Sequence, residues 1–461
     1  MPTDPHLTRR GFIQTTTSAA IAAGIGASIR PRDAAGKPLG ANDRIHIGVI
    51  GTGGQGTHHI QQLLQRTEAE NVRIVQVCDV YRRRLNRSIK LIDGGEAAGT
   101  MEYRKVLDNP EVDAVVIATP DHWHTKIAIE AMQAGKDVYV EKPLSHTIEQ
   151  AIECREAVKH TGRVLQVGPQ RTSYDYIPYA RKAVADGRMG KVVWSHATSC
   201  RNSTEGQFNW PMDPDAGPNA KGDGYVWWDR WLGYQWGLAP KIPWNAQHFF
   251  RFRKYYAYNG GVATDLLYHY LAPLLSIIAG PDGEYPKRVV ASGGTYIEKD
   301  DRDIPDTFVM TVDYPSEHSI VLASCMVNDS NSPMVIYGQY GTMRFINQRG
   351  IGSGLFIEEQ QVWWERFRKA NADMVQTRWK SDARGKKYPR PVPGKAVATF
   401  DIEHSRNHMG NFLDAVRGIS PLNCNVDLGC TTMVAIKMGV EALRRNRVMN
   451  WDADADKTWE S

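Results

Sequence analysis

Cysteine is scarce and scattered in this chain. Cys78, Cys154, Cys200, Cys325, Cys424 and Cys430 are spread over 461 positions with no CxxC pair among them. That excludes a cysteine-caged zinc module and a small disulfide-framed domain. The six read as mostly buried thiols, with a Cys424 to Cys430 bridge left open. No HExxH run occurs, and the short spacings His122 to His124 and His404 to His408 lack the glutamate or cysteine pair that would complete a zinc site, so no metal is expected. Nor is charge of one sign in large excess. Lysine and arginine number 56 against 51 aspartate and glutamate, a net charge of +5, and the basic runs Arg82 to Arg84 and Arg384 to Lys387 stand alone. No nucleic-acid partner is expected from that balance. No apolar run is long enough to span a bilayer, and no internal repeat is visible. The remaining composition, 42% hydrophobic and 23% charged, is that of a globular protein long enough for two domains.

Near the start, Thr8-Arg9-Arg10-Gly11-Phe12-Ile13-Gln14 precedes an uncharged, small-residue stretch from Thr15 to Ile29. This is the layout of a twin-arginine export signal, cleaved between Ala27 and Asn42, and residues 1–42 are read as signal and linker. The alternative is a disordered tail with two chance arginines. Export by this route places the protein in the periplasm and carries it there already folded, with any cofactor loaded beforehand.

The sequence is organised around Arg44 to Gly56, RIHIGVIGTGGQG. The apolar run Ile45, Ile47, Val49, Ile50 feeds into Gly51, Gly53 and Gly56, the GxGxxG spacing of a dinucleotide-binding turn. Gly51 permits a sharp turn off a strand, Gly53 lets backbone approach a pyrophosphate, and Gly56 lets the next helix pack closely. Thr52, Gly54 and Gln55 complete the turn, whose NH groups hold the anion. A second apolar run, VRIVQVCDV, ends at Asp79, at the distance where an acid meets the adenosine ribose. NAD is the expected cofactor. Arg82 and Arg83 could offset the acid and admit NADP.

From Arg44 to about Gly168, short apolar runs alternate with helical periodicity. This predicts parallel strands at 45–51, 72–78, 112–118, 137–141 and 163–168, joined by crossover helices, one of them from about His124 to Ala134. The fold class expected is an N-terminal Rossmann doubly wound parallel sheet (α/β, residues 43–170), followed by an α+β domain (171–461) with an open, mostly antiparallel sheet. Chemistry belongs at the strands' carboxyl ends. One such end is Thr119-Pro120-Asp121-His122-Trp123-His124, where Thr119, Pro120 and His124 can wall a nicotinamide pocket, or Thr119 or Asp121 can simply cap a helix. Another is Glu141-Lys142-Pro143. There Lys142 is a candidate for orienting or protonating a substrate hydroxyl, against the ordinary explanation of a surface ion pair.

Beyond Gly168 the sequence predicts a helix at 177–186, a strand at 191–199, a long aromatic segment over 200–256 and a helix at 263–278. Strands follow near 287–297, 307–314, 318–326, 333–338 and 342–346, then helices at 403–417 and 427–446 and a short strand from Val448 to Trp451 that pack back on the body. The alternation Phe308-Met310-Val312 marks one buried face, and the other face needs a cover, either the first domain or a second subunit. In Gly260 to His269, Asp265 and His269 stand four apart, one helical turn. An acid so placed can fix a histidine's tautomer and raise its pKa, readying it to take a hydroxyl proton, or the two can be an ordinary helix pair. Trp210, Trp227, Trp228, Trp231, Trp236 and Trp244 crowd one segment. One or two are expected to meet the apolar face of a sugar, the rest to fill core.

These pieces together resemble the glucose-fructose oxidoreductase, inositol dehydrogenase and MocA family. The matching stretches are GVIGTGGQG, the acid of VCDV, ATPDHWH, AGKDVYVEKP, QVGPQR (Gln166 to Arg171, containing Gln170), GRMGKV and the Asp265 to His269 pair. The resemblance implies that Lys142 is the active-site lysine, His269 the acid/base and Asp265 its partner. It also implies a Rossmann domain with an open antiparallel sheet domain, and a homo-oligomer, dimer or tetramer. Leu267 and Ala272 replace a glycine and an acid frequent in that family, and the Trp227 to Gly233 segment looks like its exported, carbohydrate-acting branches. The function implied is an NAD(H)-dependent oxidoreductase acting on a secondary hydroxyl of a sugar, glycoside or cyclitol, with a tightly held, recycled cofactor. Two alternatives stand beside it: a glycosidase working by transient oxidation and elimination, and a non-catalytic sugar-binding protein of the same fold.

Overall fold

The apolar run Ile45–Ile50 forms β1, the central strand of a six-stranded parallel sheet in this computed structural model, which describes residues 43–92, 97–348, 352–376, 397–400 and 402–461. The twin-arginine pattern and the Arg384 to Lys387 run lie outside the described residues. After β1 come α1 (Gly54–Leu64), β2 (Val72–Cys78), α2 (Arg82–Leu91), β3 (Ala98–Thr100), the single turn α3 (Arg104–Leu107), β4 (Ala114–Ile117), α4 (Asp121–Gln133), β5 (Asp137–Glu141), α5 (Ile148–Thr161) and β6 (Leu165–Gly168). The strand order is β3-β2-β1-β4-β5-β6, so the winding reverses between β1 and β4 and opens a crevice at their carboxyl ends. Two details differ from the sequence expectation. The three-residue β3 is too short to leave a pattern. Helix α4 starts at Asp121, three residues earlier than expected, because Pro120 takes the extended N-cap position and commits Asp121 to the first turn.

The second sheet has eleven strands. Helix α6 (Ile177–Ala185) leads to β7 (Val192–Thr198), and a largely irregular segment holds the short helices α7 (Trp228–Leu232) and α8 (Ala246–Phe250). A π-helical turn, Ala263–Leu267, opens α9 (Tyr268–Ile278). Then follow β8 (Arg288–Gly294), β9 (Thr307–Asp313), β10 (Ser319–Cys325), β11 (Val335–Gly338), β12 (Gly341–Gln348), β13 (Gly352–Glu359), α10 (Trp364–Ala370), β14 (Val375–Gln376) and β15 (Val397–Thr399). The chain ends in α11 (His408–Val416), α12 (Val426–Arg445), β16 (Met449–Asp452) and β17 (Lys457–Glu460). Only the β7–β10 pairing is parallel. Phe308, Met310 and Val312 are buried as their alternation predicts, with Phe308 and Met310 against Gly439 of α12. The opposite face carries Val193, Trp194, Val290 and Val309 exposed, with Trp194 stacked on Tyr337 at 4.3 Å between ring centroids.

The last helices return to the parallel sheet, as the sequence suggests. Asn407 caps α11, so this helix begins five residues later than expected, and Met409, Phe412 and Leu413 enter one core with Val49, Val77, Val116 and Tyr139. Gln166 Nε2 donates to His408 O at 2.6 Å, and His408 Nε2 lies 2.7 Å from Val167 O. From Arg44 to Ser461 the chain clusters as a single unit. All six cysteines are free thiols, with Cys424 and Cys430 both buried.

Candidate active site

The glycine turn is built as its spacing demands. Gly51 has φ +85°, and a side chain there would come 2.7 Å from the Ala118 backbone; a Cβ on Gly56 would come 1.9 Å from Gly51 O. These two glycines serve packing. Gly53 and Gly54 face space instead: a Cβ on Gly54 meets nothing within 4 Å, and one on Gly53 meets only Arg84 Nη1 at 3.6 Å. Gly53 is the N-cap of α1 and offers no side-chain cap, which leaves the first NH groups for an anion. Asp79 accepts from Thr52 N and Tyr81 N, each at 2.8 Å, so the acid is fixed beside the turn. Thr119 Oγ1 is buried at the same opening without a hydrogen-bond partner among the described residues. An anion cradle, a fixed acid and an orphaned hydroxyl fit a dinucleotide.

The arginines after Asp79 need correction. Helix α2 starts at Arg82 and sends successive side chains about 100° apart. Arg83 pairs with Asp213 at 3.1 Å and with Asp215, and Arg82 lies over Tyr225. Arg84, not Arg82 or Arg83, lines the cavity with Asp79, its guanidinium 5.2 Å from the Phe249 centroid.

At the end of β5, Glu141 and Lys142 point to different tasks. Glu141 Oε1 accepts from His59 Nε2 at 2.7 Å, Gln170 Nε2 at 2.8 Å and Gln55 Nε2 at 3.1 Å. Burial alone would raise this carboxyl, but the His59 hydrogen bond and charge and the nearby Lys142 lower it to about 2. Glu141 therefore ties α1, β5 and the Gln170 turn together as a permanent anion. Lys142 Nζ donates to Asp265 O at 2.7 Å and Asp265 Oδ1 at 2.9 Å, while Arg253 Nε donates to the same Oδ1 at 2.8 Å. Burial would raise Asp265 too, yet the two cations hold it far below the usual carboxylate range.

The expected Asp265–His269 pairing is not what the structure builds. Asp265 sits in the π turn, its carboxylate faces Lys142 and Arg253, and no hydrogen bond joins it to His269 among the described residues. His269 is lowered, not raised, to about 3, by burial first and the Lys142 charge second. It is a neutral imidazole at the cavity wall. His124 also differs from expectation, since its Nδ1 lies 2.7 Å from Pro143 O and its Nε2 2.8 Å from Thr119 O, spanning the ends of β5 and β4.

A cavity of about 530 Å³ joins these parts, lined by Gly51, Gly53, Gly54, Gln55, Asp79, Thr119, Pro120, His124, Glu141, Lys142, Gln170, Asp265 and His269. Thr52 and Gly56 lie behind it. Of the crowded tryptophans, Trp210 and Trp231 reach the wall; Trp231 is buried and stacked on Trp228, whereas Trp210 is 41% exposed and lies beside Arg253. Sequence reasoning missed Arg253, which comes from the irregular segment, and took Asp121 only as a cap, although both line the cavity. His404 pairs with Asp175 at the surface and His408 with Ser173 in the core; no cluster of three metal-ligating side chains occurs among the described residues.

Comparison with known proteins gives the site a context. The family model described as an oxidoreductase family with an NAD-binding Rossmann fold matches residues 45–169. An alpha-N-acetylgalactosaminidase of Tannerella forsythia is 31% identical over 206 residues, 40% of this chain and 43% of that protein. A scyllo-inositol 2-dehydrogenase (NAD(+)) of Bacillus subtilis (strain 168) is 30% identical over 151 residues, 33% and 43% of the two chains. A glycosyl hydrolase family 109 protein of Shewanella baltica (strain OS195) is 28% identical over 176 residues, 34% and 38%. The chain thus spans less than half the length of these curated relatives. In fold it is similar to the WlbA dehydrogenase of Bordetella pertussis, solved with NADH and UDP-GlcNAcA, at a TM-score of 0.59 and 19% identity over 89% of this chain and 100% of that one. It is similar as well to the aldose-aldose oxidoreductase of Caulobacter crescentus, solved with glycerol, at a TM-score of 0.60 and 17% identity over 88% and 99%. With a glycine cradle, a fixed acid and a strand-end lysine around one cavity, residues 45–169 form the NAD-binding Rossmann domain of the Gfo/Idh/MocA oxidoreductase family.

Proposed function

We propose that this protein oxidises a secondary hydroxyl of a sugar, glycoside or cyclitol with NAD, and keeps its cofactor through successive turnovers. The observation that carries this is the meeting of Lys142, Asp265 and His269 in the same cavity as the glycine turn and Asp79. When bound, the nicotinamide supplies the hydride acceptor. Of the three Lys142 NH groups, two donate to Asp265, which leaves one for a substrate hydroxyl. Asp265 stays ionised and fixes that lysine. His269, neutral, accepts the hydroxyl proton. Trp210 offers an exposed ring to the sugar's apolar face.

The test is incubation with a panel of glycosides and their 3-keto derivatives, read by mass analysis, beside Lys142→Ala and His269→Ala. Conversion by the unsubstituted protein with losses of at least about a hundredfold in both variants supports the reading. Binding of a sugar without conversion would point to the non-catalytic alternative.

A second reading is favoured by the relatives described as a glycosidase and a glycosyl hydrolase. Here oxidation is transient and a glycosidic bond is eliminated, so cleavage occurs without net NADH and with deuterium exchange at C2. The twin-arginine pattern Arg9-Arg10 supports export to the periplasm, which Arg9→Lys with Arg10→Lys should abolish. The exposed apolar face of the second sheet supports a homo-oligomer.

A further inference from the structure

The reaction end of the cavity holds two carboxyls in opposite surroundings. Asp265 is ion-paired to both Lys142 and Arg253. Asp121, the first residue of α4, lines the same cavity and is 4% exposed, yet its direct partner is a neutral amide: Asn259 Nδ2 donates to Asp121 Oδ2 at 2.6 Å. No ion pair to Asp121 occurs among the described residues. The charged and titratable groups that face it are His124 on its own helix, Lys142 after β5, Arg253, Asp265 in the π turn and Lys437 on α12. Buried acids pushed into such different states divide the work of a site, one serving as a fixed charge and the other taking and giving protons.

We infer that Asp121 stores the substrate's hydroxyl proton inside the protein while the cofactor holds the hydride, so that both can be returned to the same or another molecule. This rests on the oxidoreductase reading above. In the oxidation step the carbinol C–H bond breaks and its electron pair goes to nicotinamide C4. The O–H bond breaks and the proton goes to neutral His269, then to the Asp121 carboxylate, and a C=O bond forms. The direction of transfer follows from burial. His269 is lowered to about 3, whereas Asp121, chiefly by burial and against the charges of His124, Arg253 and Lys142, is raised to about 6. The positive nicotinamide becomes neutral as it is reduced, which removes a cation from the cavity and favours protonated Asp121 further.

Two measurements on the full-length protein test this, using Asp121→Asn, which retains an acceptor for Asn259, and Asp121→Glu, which retains a titratable carboxyl. The first is infrared spectroscopy of the protein without added cofactor. A protonated-carboxyl carbonyl band that disappears as pH rises through about 6, is lost in Asp121→Asn and kept in Asp121→Glu, is the expected result. A band unaffected by Asp121→Asn, or no band titrating in that range, overturns the inference. The second is proton release, followed with a pH indicator, as substrate reduces bound NAD. The unsubstituted protein should release well under one proton per NADH at neutral pH and Asp121→Asn a full one; full release from both overturns it. If the infrared band behaves as expected and no substrate reduces NAD, the protonation of Asp121 stands and the functional reading falls.

Discussion

Lys142 Nζ lies 2.9 Å from Asp265 Oδ1 across 123 positions of sequence, and Arg253 Nε shares that oxygen at 2.8 Å. One buried carboxylate therefore neutralises two cations. Asp265→Asn leaves both uncompensated and should destabilise the protein by about 3–5 kcal/mol in urea unfolding. Lys142→Met keeps the Arg253–Asp265 pair and should destabilise it clearly less. Equal losses would mean that Arg253 contributes nothing to holding the acid.

The four glycines of the turn separate into two kinds. Gly53→Val places a side chain where only Arg84 is near, so it should weaken NAD binding at least about tenfold, a loss of about 1.4 kcal/mol, with little effect on unfolding. Gly56→Val drives a side chain into Gly51 O and should destabilise the fold itself. Calorimetric titration and thermal melting of both variants check the contrast.

Acid should destabilise the protein well above the range of ordinary carboxylates. His122, His318 and His408 are each lowered from 6.5 to about 4 by burial. Between those values the unfolded chain binds three protons that the folded chain refuses, so stability is lost as pH falls from 6.5 to 4, by about 1.4 kcal/mol per unit for each histidine. Asp121 acts in the other direction, because its raised value lets the folded chain hold a proton between 3.8 and about 6. Denaturant unfolding at pH 7 and pH 5 should show the net loss, and Asp121→Asn should steepen it.

The exposed face of the second sheet offers a further check. Trp194, 40% exposed and stacked on Tyr337, stands with Val309 on strands whose other face is buried. If this face joins two copies, Trp194→Arg with Val309→Glu should halve the mass seen by light scattering without changing the circular dichroism. A monomer before substitution would refute the interface.

How far the sequence could be read depended on how local each cause was. The glycine turn, Asp79 and Lys142 were legible because strand, turn and strand end lie within a few residues of one another. Arg253 and Asn259 were not, since they belong to an irregular segment without periodicity and meet Asp265 and Asp121 only in the folded chain. Asp121 was visible as a helix-start residue, but burial, which gives it its chemistry, is a property of the segments packed over it. The four-residue spacing of Asp265 and His269 suggested a pair, whereas the π turn and the two cations took the carboxylate elsewhere. Strands β13 to β15 were missed because they are short or glycine-rich, and β3 for the same reason of length.

The central claim is that the cavity between Gly51 and His269 holds NAD for chemistry at Lys142. The most direct measurement is chromatography of the nucleotides released when the purified protein is denatured, followed by titration of the refolded or stripped protein with NAD. The account predicts a nicotinamide nucleotide in near-equal amount to protein, or tight rebinding when it is supplied, lost in Gly53→Val. A protein that releases no nicotinamide nucleotide and binds none would contradict it.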